Sequence, residues 1–211
     1  IHLTGSPRAD LWKPIFLNYW IENSKKKQKK PFLLIPTNTA PFSVRHINER
    51  IRSYQKGGEY FLRDSTFIKR VLGRESEQFK LISHFIEAVK HLAYKNKNYD
   101  VILRPHPSDN LETWKILLGK IPNVGVNRDG GVSLWIKNSF AIMHNGCTTA
   151  LEASFFKKPI ITYSPFRADF ARKLANDLGE KVTSLYQLKK KVDEVFYDYK
   201  TKKNKNLRKP L

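Results

Sequence analysis

The chain of 211 residues carries 39 lysines and arginines against 19 aspartates and glutamates, a formal charge of +20 at pH 7. Its 40% hydrophobic content is that of a globular protein of one or two domains, and the charge points to an anionic partner: nucleic acid, an acidic membrane face or a phosphorylated substrate. A lone cysteine, Cys147, excludes a disulfide framework and a cysteine-rich metal site and fits a reducing compartment, and no apolar run approaches the ~20 residues of a membrane span.

The chain opens on Ile1, and IHLTG (1–5) already reads as a strand, so the sequence is expected to begin inside a longer protein. GSPRAD (5–10) is a turn, with Asp10 placed to cap a helix through LWKPIFLNYW that Pro14 kinks or bounds. SKKKQKK (24–30) is a linker and KTKKNKNLRK (200–209) a tail. Lysine runs of this kind are usually solvated, and neither has the interleaved aromatics of a single-strand binder. PFLLIP (31–36) is a buried strand, whereas residues 37–74 give no clear pattern. From Glu75 to Tyr94 the spacing of Phe79, Ile82, Phe85, Ile86, Val89, Leu92 and Ala93 predicts a helix.

DVILRP (100–105) is then a strand stopped by proline, LETWKILLGK (111–120) a helix and NVGV (123–126) a short strand. GVSLWIKNS (131–139) is a helix, FAIMH (140–144) a strand, TTALEASFFKK (148–158) a helix and PIITYSP (159–165) a strand. Two helices, over 168–177 and 184–199, complete the chain. Short apolar strands alternating with helices imply a doubly wound parallel α/β domain, with ligands at the carboxyl ends of the strands. RPHPSD, HNGCTT and SPFRAD each come directly after a strand.

In RPHPSD (104–109) two prolines fix the backbone around His106 and aim its imidazole. So held, His106 can donate a hydrogen bond to a phosphate, and Arg104 can add a bidentate contact. The competing reading is a rigid loop in which Ser108 or Asp109 merely caps helix 111–120. In HNGCTTALEA (144–153) Gly146 lets the backbone approach a ligand, while Thr148 and Thr149 stand at a helix N-terminus, which favours anions. Here too there is a plain alternative, because Thr149-x-x-Glu152 has capping-box spacing. A helix-terminal charge effect is worth ~0.3–1 kcal/mol, whereas micromolar binding needs about 8 kcal/mol, so this segment needs His106, a base pocket and a ribose contact beside it. GxxxxGK[ST], GxGxxG, D-x-D, HExxH and G-x-S-x-G are all missing from the sequence, which leaves a metal-free phosphate site.

TGSPRAD (4–10), RPHPSD (104–109), the Trp135-Ile136 pair and HNGCTTALEASFFKKPIITYSP (144–165) resemble the bacterial surface carbohydrate biosynthesis proteins, which are glycosyltransferase-like proteins of the two-Rossmann-domain GT-B type. The resemblance runs in dispersed blocks. TGSPRAD is similar to the TGNPR-x-D crossover between the two domains, also echoed in UDP-N-acetylglucosamine epimerases, with Ser6 where the family usually has Asn. The resemblance therefore implies a crossover helix and basic linker over 1–30, a Rossmann-like nucleotide-sugar-binding domain over 31–199 and a basic tail over 200–211, with the N-terminal acceptor domain absent from the chain. His106-Pro107 looks like the His-Pro motif of sialyltransferases and Kdo transferases, whose histidine contacts the CMP phosphate. It implies His106 as the catalytic group, and a donor-binding set of Arg104, His106, Pro107, His144, Asn145, Gly146, Thr148, Thr149 and Glu152, the last near the donor ribose.

By this resemblance the chain is expected to be a donor-binding domain for a CMP-linked sugar in surface polysaccharide or lipopolysaccharide synthesis, with no cofactor and no metal. The expected partners are a sugar nucleotide and a glycan or glycolipid acceptor, in the cytoplasm with peripheral contact to an anionic membrane face. A UDP-sugar transferase, an epimerase and a polyol-phosphate transferase are alternatives on the same scaffold. A nucleic-acid-binding protein is the alternative from another class, disfavoured because the lysines concentrate in two apparent linkers.

Overall fold

β1 (Phe32–Pro36) alternates its side chains between two buried layers, and the domain is built outward from it. The structure, a computed structural model, describes Asp10, residues 13–16, 30–38, 65–168 and 173–207. The strand expected at 1–5, most of the helix expected after Asp10, the linker at 24–29 and the chain end beyond 207 lie outside the described residues; of that first helix only a 3-10 turn, Pro14–Phe16, falls within them.

Six parallel strands form one sheet in the order β3-β2-β1-β4-β5-β6. They are β1, β2 (Asp100–Arg104), β3 (Val124–Val126), β4 (Ala141–His144), β5 (Ile160–Tyr163) and β6 (Glu180–Val182). This is the doubly wound Rossmann order, which reverses direction between β1 and β4. Leu33 pairs with Val101 on one side and Ala141 on the other. α1 (Ser65–Lys95), α2 (Leu111–Leu118) and α6 (Leu185–Leu207) cover one face, where Leu33 and Ile35 meet Phe85, Val89, Trp114 and Val192. α3 (Val132–Asn138), α4 (Thr149–Phe155) and α5 (Lys173–Asn176) cover the other, where Phe32 and Leu34 meet Ile136, Ala150, Ala153 and Ala175.

Three elements depart from the sequence reading. α1 begins ten residues before Glu75. Of its early apolar residues Leu72 is half exposed, and Phe79, counted in the stripe, is 55% exposed as well. β6 went unforeseen because Glu180 and Lys181 are exposed and only Val182 is buried. Charged residues on an edge strand are how sheets avoid pairing with other chains, and they erase the hydrophobic signal. α6 runs on to Leu207, so the basic tail expected from residue 200 begins within a helix. Its start carries reciprocal caps: Gln187 N–H donates to Ser184 Oγ at 3.2 Å, and Thr183 N–H donates to Gln187 Oε1 at 2.8 Å.

At the amino edge of the sheet, Tyr99, Phe140 and Phe196 pack with ring centroids 5.0–5.2 Å apart, docking the middle of α6. The Tyr99 hydroxyl is buried without a hydrogen-bond partner among the described residues, and burial, with Asp193 nearby, pushes its ionisation up. Two substitutions in this cluster should therefore behave oppositely in urea unfolding. Tyr99→Phe removes an unsatisfied hydroxyl and should leave stability unchanged or raise it by up to about 1 kcal/mol. Phe196→Ala opens a cavity and should cost about 3–5 kcal/mol.

Candidate functional site

β1 and β4 lead in opposite topological directions, so the loops at their carboxyl ends part and leave a crevice. A cleft of about 580 Å³ opens there. Its walls are Thr37 and Asn38 after β1, Pro105–Ser108 after β2, Arg128 and Gly130 after β3, and the turn from Cys147 into α4, with Arg74 and Gln78 reaching over from α1.

His106 is exposed in this cleft, and its surroundings fix it on three sides. Its N–H donates to Thr37 Oγ1 at 3.0 Å, and its carbonyl accepts from Asp109 N–H at 2.8 Å. Ser108 N–H donates to His106 Nδ1 at 3.2 Å, and Ser108 Oγ lies 2.7 Å from the same nitrogen. A backbone N–H can only donate, so Nδ1 is the bare nitrogen and the neutral ring carries its proton on Nε2. Asp109 is buried beneath the loop, with Thr37 Oγ1 donating to its Oδ2 at 3.0 Å and Trp114 Nε1 at 3.2 Å. Burial pushes its carboxyl up, and those two hydrogen bonds pull it back. Neither Ser108 nor Asp109 caps α2; Asn110 does, accepting from Glu112 N–H at 2.9 Å and Thr113 N–H at 3.2 Å.

Arg104 lines the cleft but its fork is largely engaged. Nη1 donates to the Asp129 carbonyl at 3.1 Å, Nη2 donates to the Gly130 carbonyl, and the guanidinium stands 5.7 Å from the Trp135 ring centroid. Burial lowers its pKa and Asp129 raises it. The expected bidentate phosphate contact gives way to a tie across to the loop after β3. From that loop Arg128 reaches back, its Nη1 donating to the carbonyls of Pro107 and Asp109, both at 2.9 Å, and more weakly to that of His106 at 3.4 Å.

The turn after β4 is held just as firmly. Gly146 has φ +64°, the left-handed region that favours glycine. Its N–H donates to Asn176 Oδ1 at 2.6 Å and its carbonyl accepts from Asn38 Nδ2 at 2.9 Å. The glycine thus shapes the turn and does not offer its N–H to a ligand. Thr148 is exposed, has helical dihedrals and makes no side-chain cap. The expected capping box does not form. Thr149 Oγ1 instead takes Cys147 Sγ–H at 3.1 Å, and Glu152, buried at the cleft edge, accepts Ser133 Oγ–H at 2.9 Å.

His144, Asn145 and Gly146 fall outside the cleft lining. His144 is fully buried because the strand's alternation turns it into a layer between sheet and helices. Thr162 Oγ1 donates to the Asn176 carbonyl at 3.1 Å and so accepts from His144 Nε2–H at 3.2 Å. Asn145 ties the turn to the loop after β5, its Nδ2 donating to the Tyr163 carbonyl at 2.8 Å. SPFRAD comes after β5, and its Phe166 packs on α1 beside His84 and Lys80. Arg104, His106, Pro107, Thr148, Thr149 and Glu152 do line the cleft together. Thr37, Asn38, Arg74, Arg128 and Asn176 were missed. The strand-end rule alone would have pointed to Thr37 and Arg128, which lie just past apolar β1 and β3. No group of three His, Cys, Asp or Glu among the described residues is placed to hold a metal ion.

No family model matches the chain, and no curated protein matches it. Its fold is similar to solved structures of the E. coli ADP-heptose lps heptosyltransferase II (TM-score 0.49, 10% identity, 93% of this chain and 54% of that one) and S. aureus MnaA with UDP (TM-score 0.46, 15% identity, 86% and 42%). It is also similar to the E. coli heptosyltransferase WaaC with ADP-2-deoxy-2-fluoro heptose (TM-score 0.44, 11% identity, 88% and 48%). The chain spans about half the length of these proteins. The likeness is one of fold, and the chemistry of the cleft has to be read from its own residues.

Burial lowers the His144 pKa from 6.5 to about 4. The folded state then holds the neutral ring while the unfolded chain takes a proton, so this stability is present above about pH 6.5 and lost as pH falls to about 4. Wild type should lose on the order of 3 kcal/mol across that window, at 1.36 kcal/mol per pKa unit. Comparing urea unfolding of wild type and His144→Gln at several pH values checks this: the variant should lack that part of the slope, and equal slopes would refute it.

Proposed function

We propose that this chain binds a sugar nucleotide, CMP-linked, by its phosphate, as the donor-binding domain of a GT-B glycosyltransferase of surface polysaccharide or lipopolysaccharide assembly. One observation carries the reading: an exposed histidine in a doubly wound crevice, fixed as the Nε2–H tautomer by Ser108, with arginines on the same cleft walls. A neutral imidazole N–H of set direction is a donor suited to a phosphate oxygen, and preorganised donors act where charge develops.

When the acceptor hydroxyl attacks the anomeric carbon and the bond from that carbon to the phosphate oxygen breaks, negative charge gathers on the departing nucleotide phosphate. His106 Nε2–H donates a hydrogen bond to that phosphate and stabilises its charge, the ring keeping its proton. The Thr148 hydroxyl, free of any cap duty, adds a second donor from the opposite wall. α4 has only seven residues, so its N-terminus adds little alone, and Arg74 at the cleft supplies the charge complementarity beside the neutral His106 donor. Glu152, steadied by Ser133 at the cleft edge, would meet the ribose hydroxyls. The proposal needs no metal and no further cofactor, because side chains already answer the phosphate charge.

The acceptor would be a glycan or glycolipid. No helix among the described residues is long and apolar enough to cross a membrane, and the proposed setting is the cytoplasmic face of the inner membrane, held by net charge. Part of the lysine content on α6 is already answered within the fold: Lys189 pairs with Asp193, and Lys191 with Glu180 and Glu194.

Titration calorimetry and thermal shift with CMP, CDP and UDP test the reading. CMP should bind, and the protection should persist in about 0.5 M salt, where non-specific nucleic-acid binding collapses. His106→Ala and Thr148→Val should each weaken CMP binding roughly 10- to 100-fold, the value of a hydrogen bond to a charged group. Thr149→Val should do less, since Thr149 is buried where Thr148 is exposed. Preference for UDP over CMP would move the donor class, and no binding of any nucleotide would sink the proposal.

A further inference from the structure

Two arginines lie crosswise at the cleft wall. Arg104, on β2, donates to carbonyls of the loop after β3, at Asp129 and Gly130. Arg128, in the loop after β3, donates to carbonyls of the loop after β2, at Pro107, Asp109 and, at longer range, His106. β2 and the loop after β3 each supply a cation that gathers carbonyls near the other. The arrangement places two guanidinium groups close enough for Arg128 to lower the Arg104 pKa, and such crowding is unfavourable unless the carbonyl contacts repay it.

We infer that Arg128 is a positioning residue for His106, and that the crossed arginines hold the histidine at a fixed place on the cleft wall. Three carbonyls converge on one Nη1, and the half-buried one, that of Asp109, needs a donor, which Arg128 supplies. The ring direction depends on the Ser108 contact, which lies in the same four-residue turn whose carbonyls Arg128 holds. Thr37 steadies the turn from the other side, accepting the His106 N–H and donating to Asp109. Arg128 thereby acts on a ligand through His106. This assignment rests on the proposed nucleotide site for its affinity effect, while its effect on the free protein does not.

The experiment compares wild type, Arg128→Met and Arg128→Lys by two readouts: ring-nitrogen NMR of His106 without ligand, and CMP affinity by calorimetry. In wild type the ring should show the Nε2–H tautomer alone. In Arg128→Met it should show both tautomers, and CMP should bind about tenfold or more weakly, with the thermal midpoint near wild type, because small displacements of a reacting group are costly. Lysine carries three donors on one nitrogen and can serve the same carbonyls, so Arg128→Lys should recover the single tautomer and most of the affinity. A wild-type ring spectrum in Arg128→Met overturns the inference, whatever happens to affinity. If Arg128→Lys keeps the single tautomer yet binds CMP as poorly as Arg128→Met, the guanidinium contacts the ligand directly, and the positioning assignment is again overturned. Should wild type bind no nucleotide, the functional proposal fails, while the ring spectra alone still decide the role of Arg128.

Discussion

A strand buried on both faces has no place for a polar side chain until it ends. Phe32 to Ile35 send alternate side chains into two separate apolar layers, so β1 is committed to hydrophobic residues along its length. The first polar side chain it can offer is Thr37, one residue past the last paired position. The same holds for β2, whose apolar run gives way to Arg104 and His106. Chemistry is thereby pushed to the carboxyl edge, where the reversal of strand order leaves room for a ligand. The sheet concentrates polar groups at one rim as a consequence of how thoroughly it excludes them elsewhere.

At that rim the backbone sets a second demand, since loops leaving a sheet expose carbonyls that the ladder no longer satisfies. Here side chains answer it. Arg104 and Arg128 serve carbonyls of facing loops, Asn38 serves Gly146, and Asn145 serves Tyr163. Each such contact consumes donors that a free side chain would offer to a ligand. The cleft is consequently shaped by residues that look like ligand contacts and serve the backbone instead. Among the described residues of its lining, the donors still open to a ligand include the Nε2–H of His106, the Thr148 hydroxyl and Arg74 on α1.

The alternation of strands and helices, and hence the fold, was legible because apolar runs of four or five residues and helical periodicity were both strong. β6 was not, since its exposed Glu180 and Lys181 carry no apolar pattern, and neither was the start of α1, ten residues before Glu75. His106 could be read because two prolines bracket it after an apolar strand. His144, which the resemblance placed in the donor-binding set, ends an apolar strand, and parity with Ile142 keeps it inside. Glu152 shows the limit of spacing arguments. Its distance from Thr149 suits a cap, but the carboxylate turns to Ser133, a residue in a different helix that no local pattern reveals. Arg128 sits in NRDGG, which reads as an ordinary polar turn; its importance comes wholly from the loop across from it.

Gly146 has both of its backbone polar groups bound by asparagine side chains, one from a residue 108 positions earlier and one from a residue 30 positions later. The shape of the turn after β4 is therefore a property of the assembled sheet and not of the HNGCTT string. A designer who grafted those six residues onto another strand-to-helix junction would carry over the threonines without their geometry. To move the cradle, Asn38 and Asn176 would have to travel with it, and with them the end of β1 and the end of α5.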